Sequence, residues 1–170
     1  MGENFLYSYR KTMKETILVS ACLFSIPCRY DGQLAKNCLS EEKKNFLKEK
    51  FFLIPVCPEQ AGGLATPRKC MEIQGGDGFA VLEKKAWVRS KDGEDFTDKM
   101  ILGAQIIYQI GLLSQATMMI GQKKSPSCSC HQIYEGSFEK KLIPGYGVTA
   151  AFLKIHGIKV LDIENINMIL

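Results

Sequence analysis

The sequence predicts an α/β protein with a Rossmann-like three-layer fold, a mainly parallel sheet and a small β-hairpin insertion. The first observation is a set of four short apolar runs, typical of buried strands, at residues 16–23, 51–57, 116–121 and 158–163. The second is that helical patterns lie between these runs. Strands that alternate with helices form a largely parallel sheet with right-handed crossovers, which gives the fold class.

Three helices are predicted from their capping and stop signals. Ser40 precedes the polar run EEKK and is expected to cap a helix there. The longest helix is expected over residues 95–115, with Asp95 or Thr97 as its cap. The last helix is expected over residues 147–157, where the final glycine ends it.

The remaining segments are predicted to be loops and exposed strands. Residues 58–80 are rich in glycine and proline and are expected to form a long loop. Residues 81–93 are expected to be exposed strand, and residues 133–143 form the predicted hairpin insertion. Pro55 lies in the second apolar run, so that strand is expected at an edge of the sheet or to end near the proline.

Length and composition indicate one globular domain. The 170 residues are 46% hydrophobic and 24% charged. We expect a single domain over residues 16–163, an N-terminal extension over 1–15 and a C-terminal tail over 164–170. The formal net charge of +4 is too small to predict binding to duplex nucleic acid, which needs a clustered basic face.

Two features favour a cytoplasmic, water-soluble protein with reduced thiols. The first sixteen residues are too polar for a secretory signal, and the seven cysteines are an odd number, which does not suit a disulfide framework.

Residues 101–121 carry no charge and are long enough to span a bilayer. Glutamine, serine and threonine interrupt them, so we interpret them as a core helix followed by a buried strand.

Three of the cysteines are expected to meet at one edge of the sheet. Cys22 and Cys57 end the first two predicted strands, and Cys128 follows the third. Since the carboxyl ends of parallel strands share an edge, these thiols are predicted to converge, which suits zinc or an iron–sulfur cluster. The alternative is that each is a small buried residue at a strand end. We expect the other four to be incidental: Cys28, Cys38, Cys70 and Cys130.

Other reactive side chains lie near the same strand ends. Glu59 follows Cys57 by two residues, and Ser125 precedes Cys128 by three. Each, taken alone, is also typical of a solvated or capping residue. Together they supply an acid/base group and a hydroxyl. The candidate substrate-binding residues near them are Arg29, Tyr30, Asp31 and Arg68.

Seven short motifs in order carry a family resemblance. They are SACL (20–23), RYDG (29–32), PVCPEQAGGLATPR (55–68), GGDG (75–78), SPSC (125–128), IYEGSF (133–138) and GVTAAFL (147–153). With these motifs the chain resembles the thiouracil desulfidase (TudS-like) family, formerly a domain of unknown function. The resemblance covers about residues 16–163.

The resemblance implies a [4Fe–4S] cluster held by Cys22, Cys57 and Cys128. It further implies catalytic roles for Glu59 and Ser125. The implied reaction is hydrolytic removal of sulfur from 4-thio-UMP or 2-thiouracil, giving the uracil form and hydrogen sulfide. Relatives that act on thiolated tRNA carry an extra domain for which this chain has no room. The expected partner is therefore a small thiolated pyrimidine base or nucleotide.

Two positions depart from the family pattern. The family usually reads ACLLG, where this chain has Phe24 and Ser25, and SPSCG, where it has Ser129. If the glycine of SPSCG needs a positive φ, serine is costly there.

Two other functions remain as alternatives. One is a non-catalytic, metal-stabilised module that binds thiolated RNA or nucleotides. The other is a sulfur-transfer enzyme with a persulfide on Cys130 or Cys28.

Overall fold

The computed structural model describes residues 14–36, 38–163 and 165. The predicted N-terminal extension and C-terminal tail therefore lie almost entirely outside the described residues. The strands are β1 (Glu15–Ser20), β2 (Phe51–Val56), β3 (Met71–Gln74), β4 (Trp87–Ser90), β5 (Met118–Gly121), β6 (Gln132–Tyr134), β7 (Leu142–Pro144) and β8 (Lys159–Asp162). The helices are α1 (Glu41–Lys50), α2 (Pro58–Ala61), α3 (Gly78–Leu82), α4 (Thr97–Leu113) and α5 (Val148–Ile155).

A four-stranded parallel sheet in the order β2-β1-β5-β8 forms the centre of the fold. Leu18 of β1 is in register with Ile54 of β2 and Met119 of β5, and Met119 with Val160 of β8. The prediction of a parallel sheet is confirmed. The proline-containing strand β2 lies at the edge of the sheet, the position at which a strand tolerates proline.

Helices cover both faces of this sheet, as predicted. Because side chains alternate along a strand, Ile17 and Val19 point to one face, where they pack with Leu47 of α1. Leu18 points to the other face and packs with Ile107 of α4 and Leu153 of α5. The hairpin insertion is also confirmed, since β6 and β7 pair antiparallel.

Two of the three predicted helix ends are confirmed. Ser40 accepts a hydrogen bond from the Lys43 N–H at the start of α1. At the start of α4 the prediction was wrong, because Phe96 occupies the N-cap position and makes no side-chain cap bond. The Asp95 carboxylate, one residue earlier, accepts a bond of 2.8 Å from the Thr97 N–H. Beyond α5, Gly157 has φ +81° and ends the helix as expected. In the described part of the chain, no helix is long and apolar enough to cross a membrane.

Three further predictions about local structure were wrong. The first strand ends at Ser20, and Ala21–Phe24 form a 3₁₀ turn, so Cys22 lies just beyond the strand. The expected loop over residues 58–80 contains α2 and β3. Pro58 suits the first turn of a helix, which explains α2.

The segment expected as exposed strand also begins differently. Its first residues belong to α3, whose cap Asp77 accepts bonds from the N–H groups of Phe79 and Ala80. The segment then forms β4, which pairs antiparallel with β3. This second small sheet could not be inferred from either segment alone, because each strand is only four residues long.

Candidate functional site

A pocket of about 430 Å³ opens at the carboxyl ends of the central strands. Ser20 of β1 and Val56 of β2 line it, as does Gln122, which directly follows β5. The chain leaves β1 toward β2 on one side, whereas β5 lies on the other, so this is the switch point of the sheet. Open α/β sheets bind their ligands at such points.

The three predicted thiols come together in this pocket. Cys22 lies in the 3₁₀ turn after β1, Cys57 at the cap position of α2, and Cys128 in the loop after β5. Cys22 and Cys128 are buried and Cys57 is half-buried. All seven cysteines of the chain lie in the described residues and are free thiols.

Two cysteines that were expected to be incidental also line the pocket, namely Cys28 and Cys70. Cys28 is 2% exposed and packs against Cys22 and Cys57. The Cys57 thiol donates a hydrogen bond of 3.7 Å to the Cys28 carbonyl. Hydrogen bonding to Cys22, with burial, raises the pKa of Cys28 to about 11. Cys28 therefore belongs to the thiol cluster, although no sequence spacing marked it.

The SPSC loop is shaped by Ser125. Its Oγ accepts hydrogen bonds of 3.1 Å from the backbone N–H groups of Ser127 and Cys128. Ser125 lines the pocket, and because its oxygen accepts from the backbone, its own proton can be donated toward the cavity. The hydroxyl thus fixes the position of Cys128 and also offers a donor to a ligand.

Glycines allow other chain segments to approach this loop closely. A Cβ on Gly121 would lie 2.1 Å from the Cys128 carbonyl oxygen. A Cβ on Gly147 would lie 2.4 Å from the carbonyl carbon of Ser127. Any larger residue at either position would push the loop, and the Cys128 thiol with it, away from the sheet edge.

The two departures from the family pattern have different consequences. Ser25 has φ +63°, a left-handed conformation that favours glycine, and its Oγ accepts a bond of 3.0 Å from Lys44 Nζ. Ser129 is fully buried and is not among the residues with positive φ. Its hydroxyl donates 2.8 Å to the Gln132 carbonyl. The loop therefore accommodates serine at position 129 without backbone strain.

Glu59 and Arg68 form a largely buried ion pair at the pocket wall. Arg68 Nε donates 2.6 Å to Glu59 Oε2, and Nη2 also contacts this oxygen. Arg68 Nη2 further donates 2.9 Å to the carbonyl of Cys28. The guanidinium thus links the Glu59 carboxylate of α2 to the backbone at Cys28.

Of the RYDG residues, Arg29 and Tyr30 line the pocket, and Asp31 does not. Asp31 accepts two hydrogen bonds from Arg29, of 3.2 Å to Nε and 3.1 Å to Nη2. The bond from Arg29 lowers the pKa of the Asp31 carboxyl. Asp31 therefore orients the arginine at the rim.

Part of the pocket lining was not predicted from the sequence. The charged and aromatic residues concerned are Glu72, Lys123, Lys124, Tyr134, Phe138 and Lys140. The two lysines before Ser125 could have been inferred from their neighbour, because they directly precede a candidate catalytic residue. The hairpin residues carry no such signal, since they reach the pocket only through tertiary packing.

An α/β sheet with a thiol-lined pocket at its switch point defines a class of proteins that bind a ligand or metal cluster at the strand ends. Comparison with known proteins gives the family. The family model of 2-thiouracil desulfurase matches residues 17–165, and the chain belongs to this family.

Two similar proteins cover almost the same length. The uncharacterized protein YbbK of Bacillus subtilis (strain 168) is 41% identical over 154 residues, which are 91% of this chain and 99% of that protein. The solved structure of the [4Fe-4S]-dependent thiouracil desulfidase TudS superposes with a TM-score of 0.80 at 35% identity. That match covers 91% of this chain and 95% of TudS.

Proposed function

We propose that this protein removes sulfur from a thiolated pyrimidine with the help of a [4Fe–4S] cluster held by Cys22, Cys57 and Cys128. The observation that carries the proposal is that these three thiols share one pocket with Glu59 and Ser125. Membership of the 2-thiouracil desulfurase family and the similarity to a [4Fe-4S]-dependent thiouracil desulfidase support it.

The donor set fits a cluster better than a single ion. Thiolates are the usual protein ligands of iron–sulfur clusters. In the described part of the chain, no three His, Cys, Asp or Glu side chains are close enough to hold one metal ion. A cluster spreads its ligands over several irons and does not need that closeness. When bound through three thiolates, it supplies a Lewis-acidic iron with affinity for the soft sulfur of the substrate.

Glu59 is proposed as the base that takes a proton from water. Both contacts from Arg68 fall on Oε2, so this pair orients the carboxylate and leaves Oε1 to accept a proton. The carboxylate lines the same pocket as the three thiols. A base must reach the proton that it abstracts, and this wall position satisfies that condition for water held in the cavity.

Ser125 is proposed as the proton donor to a ring nitrogen of the pyrimidine. Its oxygen is engaged by two backbone N–H groups, which orients the hydroxyl proton. Protonation of the ring nitrogen makes the neighbouring C–S carbon more electrophilic. In the overall reaction water supplies the oxygen of the new C=O bond, and the sulfur leaves as hydrogen sulfide. No electrons are exchanged, so the reaction is hydrolytic.

The pocket rim favours a nucleotide as substrate. Arg29, Lys124 and Lys140 all line the pocket, and such cations bind phosphate. Of the two expected substrates, 4-thio-UMP carries a phosphate and 2-thiouracil does not. We therefore propose 4-thio-UMP as the better substrate, with the free base as a poorer one.

The proposal is tested by anaerobic reconstitution with iron and sulfide, followed by an absorption spectrum and a sulfide assay with 4-thio-UMP. We expect a brown protein that releases sulfide. A protein that stays colourless and free of iron would contradict the proposal. A protein that binds 4-thio-UMP without releasing sulfide would instead indicate the non-catalytic binding module.

Of the two candidate persulfide carriers, Cys130 receives less support from the structure, since Cys28 lines the pocket. Cys130 is not among the residues that line the pocket, and its backbone N–H donates 2.9 Å to the buried Asp162. Burial, with the neighbouring Asp162 charge, raises the pKa of the Cys130 thiol to about 12, which disfavours a reactive thiolate. Alkylation of the reconstituted protein tests this directly, because a carrier cysteine would be modified first.

A further inference from the structure

The loop of the hairpin insertion is held against the pocket by a buried carboxylate. Glu72 of β3 is 7% exposed and lines the pocket. Its Oε2 accepts hydrogen bonds of 3.0 Å from the backbone N–H groups of Gly136 and Phe138. A buried carboxylate needs such donors. The loop N–H groups therefore stabilise the Glu72 carboxylate, and the carboxylate in turn holds the loop.

A second side chain of β3 also forms a hydrogen bond to the hairpin loop. Gln74 lies two residues further along β3, on the same face as Glu72. Its Nε2 donates 3.1 Å to the Gly136 carbonyl. A Cβ on Gly136 would lie 2.6 Å from the Ile73 carbonyl oxygen, so the loop and the strand are in close contact. The loop is therefore attached to β3 at its tip as well as through its own hairpin.

The loop backbone has a shape that its own residues do not favour. Phe138 and Lys140 have φ values of +60° and +62°, in the left-handed region that non-glycine residues rarely adopt. Such conformations persist where surrounding structure determines them. The bonds to Glu72 and Gln74 hold Gly136 and Phe138 in place, so this part of the loop is expected to lose its shape without them.

In this shape the loop supplies one wall of the pocket. Phe138 and Lys140 both line it, and Tyr134 at the end of β6 lies beside them. Aromatic rings bind bases by stacking, and a lysine binds phosphate as a point charge. The combination of a ring and a cation matches a pyrimidine nucleotide, whereas a free base would use only the ring.

We propose that Glu72 is a positioning residue that holds residues 135–141 as the wall that selects a pyrimidine nucleotide over the free base. This rests on the proposed function, since the pocket must receive a pyrimidine. Glu72 makes no contact with the three thiols among the described interactions. It acts through the loop, and its loss is expected to change substrate binding and to leave the thiol site intact.

The experiment compares Glu72→Ala and Glu72→Gln with wild type, using 4-thio-UMP and 4-thiouracil as substrates of the reconstituted protein. For Glu72→Ala we expect KM for the nucleotide to rise about tenfold or more, because two bonds to a charged acceptor are lost. We expect kcat and iron content to stay within about twofold of wild type. Glu72→Gln keeps an acceptor oxygen and is expected to recover most of the difference.

A matched control comes from α1, outside the pocket. Glu49 is exposed and does not line the pocket, so Glu49→Ala removes a carboxylate without touching the anchor. It is expected to match wild type. A proportional loss for both substrates in Glu72→Ala, or no change in the KM for either substrate, would overturn the proposal.

Two further measurements keep the test decisive. If Glu72→Ala does not fold, Lys140→Ala removes the proposed cation alone and is expected to weaken nucleotide binding selectively. Calorimetric titration with UMP measures the affinity of the pocket for a nucleotide independently of turnover. We expect Glu72→Ala to bind UMP more weakly than wild type. If wild type binds UMP more tightly than Glu72→Ala but releases no sulfide, the proposed function is wrong and the proposed role of Glu72 is supported. If wild type and Glu72→Ala bind UMP equally, the proposed role of Glu72 is wrong.

Discussion

Arg68 Nε lies 2.6 Å from Glu59 Oε2 in an ion pair whose side chains are 6% and 12% exposed. The same guanidinium reaches the Cys28 carbonyl at 2.9 Å and the Thr66 hydroxyl at 3.1 Å. All these partners belong to the protein, so Arg68 is fully occupied without a ligand. We interpret it as the residue that positions the proposed base, although the sequence had suggested a substrate-binding role.

Arg68→Ala is therefore expected to lower kcat for 4-thio-UMP by about tenfold to a hundredfold, because an unpaired, largely buried carboxylate shifts from its position. KM is expected to change little, and iron content to stay as in wild type. Steady-state kinetics with an iron assay check this. Arg89→Ala removes an exposed pair with Asp95 and serves as control. A rise in KM with unchanged kcat would show that Arg68 binds the phosphate instead.

Ser125→Ala removes a cap and a proton donor at once. The N–H groups of Ser127 and Cys128 lose their acceptor, and the ring nitrogen loses its proposed acid. We expect kcat to fall about 10²- to 10⁴-fold, the usual contribution of general acid–base catalysis. Ser40→Ala, which removes the capping hydroxyl of α1 outside the pocket, is the control. If Ser125→Ala retains its iron and also wild-type turnover, the proposed role in proton transfer is wrong.

Gly147→Ala tests the close approach that places Cys128. A methyl group 2.4 Å from the Ser127 carbonyl carbon must displace the loop, at a cost of about 1–3 kcal/mol in the free energy of unfolding. Iron uptake is expected to fall along with stability. Gly157→Ala is the matched control, because it strains a residue at φ +81° where nothing lies within 4 Å. That control should lose about 1 kcal/mol and keep its iron. Equal iron content in both variants would argue against this placement of Cys128.

Ser129→Gly restores the usual family residue and is nevertheless expected to destabilise the protein. It removes the buried bond of 2.8 Å to the Gln132 carbonyl, and it adds backbone freedom to the unfolded chain. A loss of about 1 kcal/mol in chemical denaturation is expected. An increase in stability would mean that serine strains this loop after all.

The central sheet could be predicted from the sequence because each of its strands is an apolar run, which is a strong local signal, although β2 at the edge is only partly buried. The convergence of Cys22, Cys57 and Cys128 followed from that sheet, since parallel strands end at one edge. The parts that were missed depend on contacts between distant residues. Glu72 meets the hairpin loop across 64 and 66 residues of sequence, and no local pattern marks such a contact. Cys28 was missed for the same reason, because only tertiary packing brings it against the other thiols.

The assignment of the three ligands is the central claim, and Cys22→Ser compared with Cys28→Ser tests it most directly. Both cysteines are buried in one apolar cluster beside the pocket, so the two variants remove equivalent thiols from almost the same place. After anaerobic reconstitution, iron and sulfide release are measured on wild type and both variants. We predict about four irons per chain in wild type and in Cys28→Ser, and loss of the cluster with its activity in Cys22→Ser. A Cys22→Ser protein that keeps its iron while Cys28→Ser loses it would contradict the assignment.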